Sequence, residues 1–152
     1  MKRFSLITVA RSGLAVLVVL TLAACSDGYP TEDVPQIDPA VMTLPQLLDA
    51  LNELGQDAQP GTRWRYSLRE ACQLDISVRD EERQRHRVAL HRVVIETRSA
   101  DGITEILLVP QGGEASGAIT ALETRRWTDT IRARSLFTQL EARCRASALR
   151  SA

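Results

Sequence analysis

Three arginines, Arg63, Arg65 and Arg69, recur at odd positions in a stretch where polar and apolar residues alternate. Side chains two residues apart point to the same face of a β-strand, so these three would share one solvent-facing surface, with Arg85 and Arg87 nearby. Arginine binds phosphate and carboxylate groups through paired N–H···O bonds. The spacing therefore indicates a site for an anionic ligand or an acidic protein. The alternative is a solvated strand face that binds nothing, and the sequence leaves both open.

The residue types that most often carry out catalysis or bind metals form no recognisable motif. His86 and His91 are five residues apart in a strand-like stretch, so they would point to opposite faces unless a bulge intervenes, and we do not expect them to share a metal ion. The chain has no G-x-S-x-G motif, and Gly112, Gly113 and Gly117 are not followed by the Lys-Ser/Thr pair of a phosphate-binding loop. We expect no catalytic residue, no metal site and no cofactor.

The N-terminal segment has the organisation of a bacterial export signal. Lys2, Arg3 and Arg11 form a basic start, and the apolar run Leu14–Leu22 follows. This apolar run is about half of the roughly 20 residues that a membrane-spanning helix needs. A cleaved signal is therefore favoured over a transmembrane helix.

The segment ends in Leu22-Ala23-Ala24-Cys25, which resembles the lipobox of bacterial lipoproteins. The resemblance covers residues 1–25 only. It implies that residues 1–24 are removed and that Cys25 carries a diacylglyceryl group on its thiol and an acyl group on its amine. Ser26, in place of an aspartate, favours the outer membrane, facing the periplasm. The alternative is an incidental cysteine after an ordinary signal.

Residues 25–42 are acidic and contain Pro30, Pro35 and Pro39. Such a segment buries too little apolar surface to fold alone, and we expect it to act as a tether between the lipid and the domain. The whole chain has 19 basic and 19 acidic residues, and the three basic residues before Cys25 would be lost, which leaves a net charge of about −3. Nucleic-acid binding normally requires a basic excess, so we do not expect it.

If Cys25 is lipidated, Cys72 and Cys144 are the two remaining cysteines, in an oxidising compartment. Cys72 falls on the apolar side of its strand, and Cys144 falls on the apolar side of the last helix. We expect a disulfide that joins this helix to the sheet. The alternative is two buried free thiols.

The domain, residues 43–152, is predicted to begin with an amphipathic helix. Thr43 and Gln46 fit a capping box, Pro45 occupies the first turn, and Gly55 is expected to end the helix. From Trp64 the apolar residues recur with a period of two, which is typical of strands with one wet face.

Two bends or bulges and one hairpin are expected in the strand region. A bend or bulge is expected near Glu70-Ala71, because the alternating run is too long for one strand. A second bulge is expected between Leu90 and Val93, where the apolar residues change parity. A hairpin is predicted at Asp101-Gly102.

The last element is predicted to be a second helix. Thr128 or Asp129 would cap it, and Trp127 would pack on the sheet edge. Its buried side would contain Ile131, Phe137, Leu140 and Cys144.

These elements predict an α+β fold in the order helix, antiparallel strands, helix. Because the odd-numbered strand face is polar, both helices would cover the even-numbered face, giving a two-layer sandwich with about three to five strands. With no catalytic motif, we expect a lipid-anchored, non-enzymatic accessory or assembly subunit of the cell envelope that docks a protein partner. The alternative is a module that binds a lipid headgroup, polysaccharide or peptidoglycan through Arg63, Arg65 and Arg69.

Overall fold

The computed structural model describes residues 38–112 and 117–150 and confirms the predicted α+β class. Helix α1 (Leu44–Asp57) precedes the strands, and helix α2 (Trp127–Arg150) follows them. The strands are β1 (Arg63–Arg69), β2 (Gln73–Arg79), β3 (Arg83–Ala89), β4 (Val93–Ala100), β5 (Ile103–Pro110) and β6 (Ile119–Thr124). The predicted signal segment, Cys25 and the tether up to residue 37 lie outside the described residues.

The strands form two antiparallel three-stranded sheets, where the sequence predicts one sheet of about three to five strands. The N-terminal sheet has the order β1-β2-β3, and the C-terminal sheet has the order β4-β5-β6. The chain passes between them through a short helical turn, Leu90–Arg92. Leu90 and Val93 are three residues apart and both buried, which a regular strand does not allow and a helical turn does. The parity change therefore marks a crossing between sheets and not a bulge.

The alternating run from Trp64 to Val78 reverses direction completely at the expected bend. The turn Glu70–Cys72 connects β1 to β2, which pair as a hairpin with Arg69 opposite Gln73. Ala71 and Cys72 have φ values of 54° and 57°, in the left-handed region that most residues avoid. The predicted hairpin at Asp101-Gly102 is confirmed, with φ values of 53° and 74° between β4 and β5.

Helix α1 packs against β1, and helix α2 packs against the turn Leu90–Arg92 and the strands of the C-terminal sheet, with a further contact to β1. The Tyr66 ring on β1 makes an edge contact with the Phe137 ring on α2, with centroids 5.5 Å apart. The Tyr66 hydroxyl donates a 2.6 Å hydrogen bond to the Ala121 carbonyl on β6, so one side chain connects the two sheets. Burial raises the pKa of Tyr66 well above its ordinary value, which keeps the hydroxyl protonated as a donor.

Helix α1 lies against the outer edge of β1. The side-chain amide of Asn52 accepts from the Tyr66 N–H at 2.8 Å and donates to the Tyr66 carbonyl at 3.1 Å, as a neighbouring strand would. Gly55 does not end the helix, because α1 continues to Asp57. A Cβ atom on Gly55 would lie 2.6 Å from the Trp64 carbonyl oxygen, so the glycine is needed for close packing of α1 on β1.

The capping box of α1 is confirmed: the Gln46 N–H donates to Thr43 Oγ1 at 3.4 Å, and Gln46 Oε1 accepts from the Thr43 N–H at 2.7 Å. The start of α2 differs from the expectation. It begins at Trp127, and Asp129 lies inside its first turn and accepts from Arg126 Nε at 2.7 Å.

Two apolar side chains of α2 are exposed where the sequence predicts burial. Trp127 is 67% exposed and Ile131 is 53% exposed. The buried stripe of the helix consists of Ala133, Leu136, Phe137, Leu140 and Cys144. At 100° per residue Ile131 lies on the opposite side of the axis from that stripe. Ile131 and Phe137 are six residues apart, and residues on one helix face recur at separations of three, four or seven, so the prediction for Ile131 was wrong.

Cys72, in the β1–β2 turn, and Cys144, on α2, lie at disulfide distance, with Cα atoms 5.6 Å apart. Cys144 is fully buried and Cys72 is half-buried. The predicted pairing therefore fits the structure and would attach the turn of the N-terminal sheet to the last helix.

Candidate functional site

The exposed, odd-numbered face of the N-terminal sheet carries seven arginines, and we call it the arginine face. They are Arg63, Arg65 and Arg69 on β1, Arg79 on β2, and Arg83, Arg85 and Arg87 on β3. The only acidic side chain on this face is Asp75, on the central strand β2. Seven guanidinium groups against one carboxylate give the face a formal charge of +6.

The pairing register arranges this face in rows across the three strands. The first row contains Arg63, Arg79 and Arg83. The second row contains Arg65, Ser77 and Arg85, and the third contains Ser67, Asp75 and Arg87. Neighbouring strands are about 4.8 Å apart, so all members of a row lie within reach of one small ligand.

Asp75 forms ion pairs with the two arginines at one end of the face. Its Oδ1 accepts from Arg87 Nε at 2.6 Å, and its Oδ2 accepts from Arg69 Nε. The hydrogen bond from Arg87 is the main cause of a lowered pKa for Asp75, desolvation opposes it, and Arg69 adds to it. The same contact raises the pKa of Arg87. We call Arg69, Asp75 and Arg87 the paired half.

The other five arginines form no ion pair with any residue of the described ranges. They are Arg63, Arg65, Arg79, Arg83 and Arg85, and we call them the free half. Of the three arginines that the sequence singles out, Arg63 and Arg65 thus belong to the free half, whereas Arg69 is bound to Asp75. Arg79 and Arg83 also lie on this face, although the sequence does not single them out; their odd residue numbers, shared with Arg63 and Arg65, are the signal that could have found them.

An acidic hairpin, Asp80–Glu82, borders the free half at its open end. The Asp80 carboxylate accepts from the Glu82 N–H at 2.8 Å, which closes the turn between β2 and β3. No ion pair joins these carboxylates to the arginines within residues 38–112 and 117–150. The hairpin therefore limits the extent of the basic surface and does not neutralise it by direct contact.

The two histidines lie in different environments. His86 is half-buried on β3, with its side chain on the even-numbered side of the sheet, and His91 lies in the turn between the sheets with Nδ1 buried and unpaired. Among the described residues, no group of three or more histidine, cysteine or acidic side chains could bind a metal ion.

Within residues 38–112 and 117–150, no helix combines the length and the apolar character needed to cross a bilayer.

A groove of about 490 Å³ lies between the buried side of the N-terminal sheet and β6. Its walls include Trp64, His86 and Glu123. Partial burial is the main cause of a raised pKa for Glu123, and the neighbouring carboxylates Glu105 and Asp80 add to it. A carboxyl group with a raised pKa that lines the same groove as a histidine is the feature of the described residues from which an enzyme hypothesis would start.

Comparison of the chain with family models, with curated proteins and with solved structures found no match.

Proposed function

We propose that this chain is a lipid-anchored, non-enzymatic interaction protein of the cell envelope, and that the arginine face binds an anionic envelope component. The observation that carries this proposal is the free half: five arginines on one rigid sheet face without a carboxylate partner. The N-terminal segment supports the location, since its ending resembles a lipobox.

Clustered like charges weaken the folded state, because each guanidinium repels its neighbours. A strand face that is exposed to solvent and has no other role can carry neutral polar residues or a mixture of basic and acidic residues. Residues Arg63, Arg79 and Arg83 instead lie directly opposite one another, and such like-charge pairs are destabilising. An external anion would remove this repulsion, so the arrangement fits a binding surface better than a solvated one.

A second candidate is the docking of an envelope protein as an accessory or assembly subunit. The outer edge of β1 is covered by Asn52, whereas no strand of the described residues pairs with the outer edge of β3. An exposed edge can accept a strand from another chain through main-chain hydrogen bonds. This docking would depend on the backbone of β3 and not on the charge of the free half.

Crosslinking in living cells, followed by mass spectrometry, tests both candidates. Four forms of the full chain are compared: the native protein, Cys25→Ser, Arg65→Glu and Arg134→Glu. Cys25→Ser removes the proposed lipid attachment. Arg134 is exposed on α2 and forms no ion pair with the described residues, so Arg134→Glu is matched to Arg65→Glu in charge.

We expect the native protein and Arg134→Glu to capture the same anionic component, and Arg65→Glu to lose it. Capture of one protein partner that persists in Arg65→Glu would favour edge docking over the arginine face. Equal membrane retention of the native protein and Cys25→Ser would contradict the lipid anchor. Capture of nothing by the native protein would contradict both candidates and direct attention to Glu123 and the groove.

A further inference from the structure

The paired half shows how this sheet binds an anion. Asp75 lies on the central strand, and each of its two carboxylate oxygens accepts a hydrogen bond from a different guanidinium, one from Arg69 on β1 and one from Arg87 on β3. The carboxylate is therefore an internal ligand, held between arginines from the two flanking strands.

A related arrangement lies two residues further along β2, but without the anion. There both arginines lie directly opposite the central residue, whereas Asp75 has Ser67 opposite it on β1 and reaches Arg69 diagonally. Ser77 has the central position there, with Arg65 opposite it on β1 and Arg85 opposite it on β3. Neither guanidinium forms an ion pair with a described residue. Two residues along a strand correspond to about 6.7 Å, so this empty position is a close neighbour of the Asp75 carboxylate.

The donors around Ser77 fit phosphate better than carboxylate. Two guanidinium forks and a serine hydroxyl offer more N–H and O–H donors than the two oxygens of a carboxylate need. A phosphate group has three strongly accepting oxygens and two negative charges, and it can accept from both arginines and the hydroxyl together.

The next row adds Arg63, Arg79 and Arg83, again about 6.7 Å along the strands and again without an acidic residue. The three guanidinium groups of this row repel each other unless an anion lies among them. A second anionic group of the same ligand would occupy this row.

We infer that the free half binds a ligand with two phosphate groups, one over Ser77 between Arg65 and Arg85, the other in the row of Arg63, Arg79 and Arg83. The inference rests on the proposed function and specifies the chemical class of its ligand. The two phosphates are separated by about 6.7 Å, the distance between neighbouring rows. They belong either to a lipid headgroup or to a soluble molecule.

Titration calorimetry on the full chain in non-ionic detergent micelles tests this inference with three soluble probes: fructose bisphosphate, inorganic orthophosphate and citrate. A second arm uses phosphatidylcholine vesicles with and without a bisphosphorylated glycolipid. We expect a bisphosphorylated probe to bind at least about tenfold more tightly than orthophosphate or citrate. Binding in the soluble arm indicates a free ligand, and binding only in the vesicle arm indicates a lipid headgroup.

The decisive variant is Ser77→Asp, which places a carboxylate between Arg65 and Arg85 as Asp75 does between its own partners. We expect it to weaken bisphosphate binding about tenfold or more while its Tm stays equal or rises. Ser67→Asp adds the same charge on the same face, beside the paired half, and we expect it to weaken binding less than about threefold. If Ser77→Asp does not fold, the double variant Arg65→Gln/Arg85→Gln replaces it.

Bisphosphate binding that is unchanged in Ser77→Asp would overturn the inference. Citrate binding as tightly as the bisphosphate would also overturn it, although the proposed function would stand, since the face would still bind an anion. No binding in either arm, together with crosslinked capture of an anionic component that depends on Arg65, would again reject only the inference. No binding and no capture would reject both.

Discussion

The two sheets of this domain have the same size and the same antiparallel order, but opposite charge. The strands of the N-terminal sheet carry seven arginines and one aspartate. The strands of the C-terminal sheet carry one arginine, Arg98, and three glutamates, Glu96, Glu105 and Glu123. In the C-terminal sheet Arg98 forms a cross-strand ion pair with Glu105 at 2.6 Å, so its only basic group is neutralised.

Comparison of the two sheets separates the charges that the fold requires from those that it does not. A three-stranded antiparallel sheet with one wet face is built in this chain with few charges and a cross-strand pair. The concentration of arginine on the other sheet is therefore not a requirement of the architecture. Within the N-terminal sheet, Asp75 repeats the pairing seen between Arg98 and Glu105, and only the free half departs from it.

We expect the largest loss of stability when the N-terminal sheet is no longer cross-linked to α2. The double variant Cys72→Ser/Cys144→Ser opens a cross-link between residues 72 positions apart, and the chain-entropy model gives a loss of about 4 kcal/mol in the free energy of unfolding. Urea denaturation measures this loss. Because Cys72 lies in the β1–β2 turn, the double variant should accelerate amide hydrogen exchange more in β1 and β2 than in β4 and β5. Equal acceleration in both sheets would show that the link does not hold the N-terminal sheet in particular.

The next effect concerns the contact between the two sheets. Tyr66→Phe removes the hydroxyl that donates to the Ala121 carbonyl and leaves that buried acceptor without its partner. We expect the free energy of unfolding to fall by about 1–3 kcal/mol, because the phenylalanine ring keeps the apolar packing against Phe137. Thermal denaturation checks this. A loss below about 0.5 kcal/mol would mean that the carbonyl finds another donor.

The smallest effect concerns the acidic sheet. The raised pKa of Glu123 means that its ionised form is disfavoured in the folded state, so the penalty is present at neutral pH and disappears below the pKa of the unfolded chain. Glu123→Gln should therefore raise stability at neutral pH by less than about 1 kcal/mol, since the group is largely solvated. Below about pH 4 the variant and the native protein should have the same Tm. A variant that is less stable at neutral pH would show that the ionised carboxylate makes a favourable contact.

The sequence predicted the elements whose signals are local. The capping box at Thr43 and the hairpin at Asp101-Gly102 depend on neighbouring residues, and both are confirmed. The alternation from Trp64 also placed Arg63 and Arg65 on one face. What the sequence could not supply was pairing between distant strands, because alternation alone does not tell a bent strand from a hairpin.

The division of the arginine face is a consequence of that pairing. Only the pairing of the strands brings Asp75 within reach of both Arg69 and Arg87. Only the register shows that Ser77 lies directly between Arg65 and Arg85. The exposure of Trp127 was missed because the sequence indicated a helix that starts after it. Trp127 is instead the first residue of α2 and lies about 120° around the helix axis from the buried stripe.

The free half of the arginine face is expected to bind anions, whereas Arg87 and Arg98, which are already paired with carboxylates, are not. Isotope-edited NMR of the arginine Nε–H groups in the full chain, titrated with tripolyphosphate in detergent micelles, distinguishes the two groups. We expect saturable shifts at Arg65 and Arg85, with little change at Arg87, which is bound to Asp75, and at Arg98, which is bound to Glu105. Uniform shifts at all exposed arginines, or none, would contradict this expectation and leave the arginine face as a solvated surface.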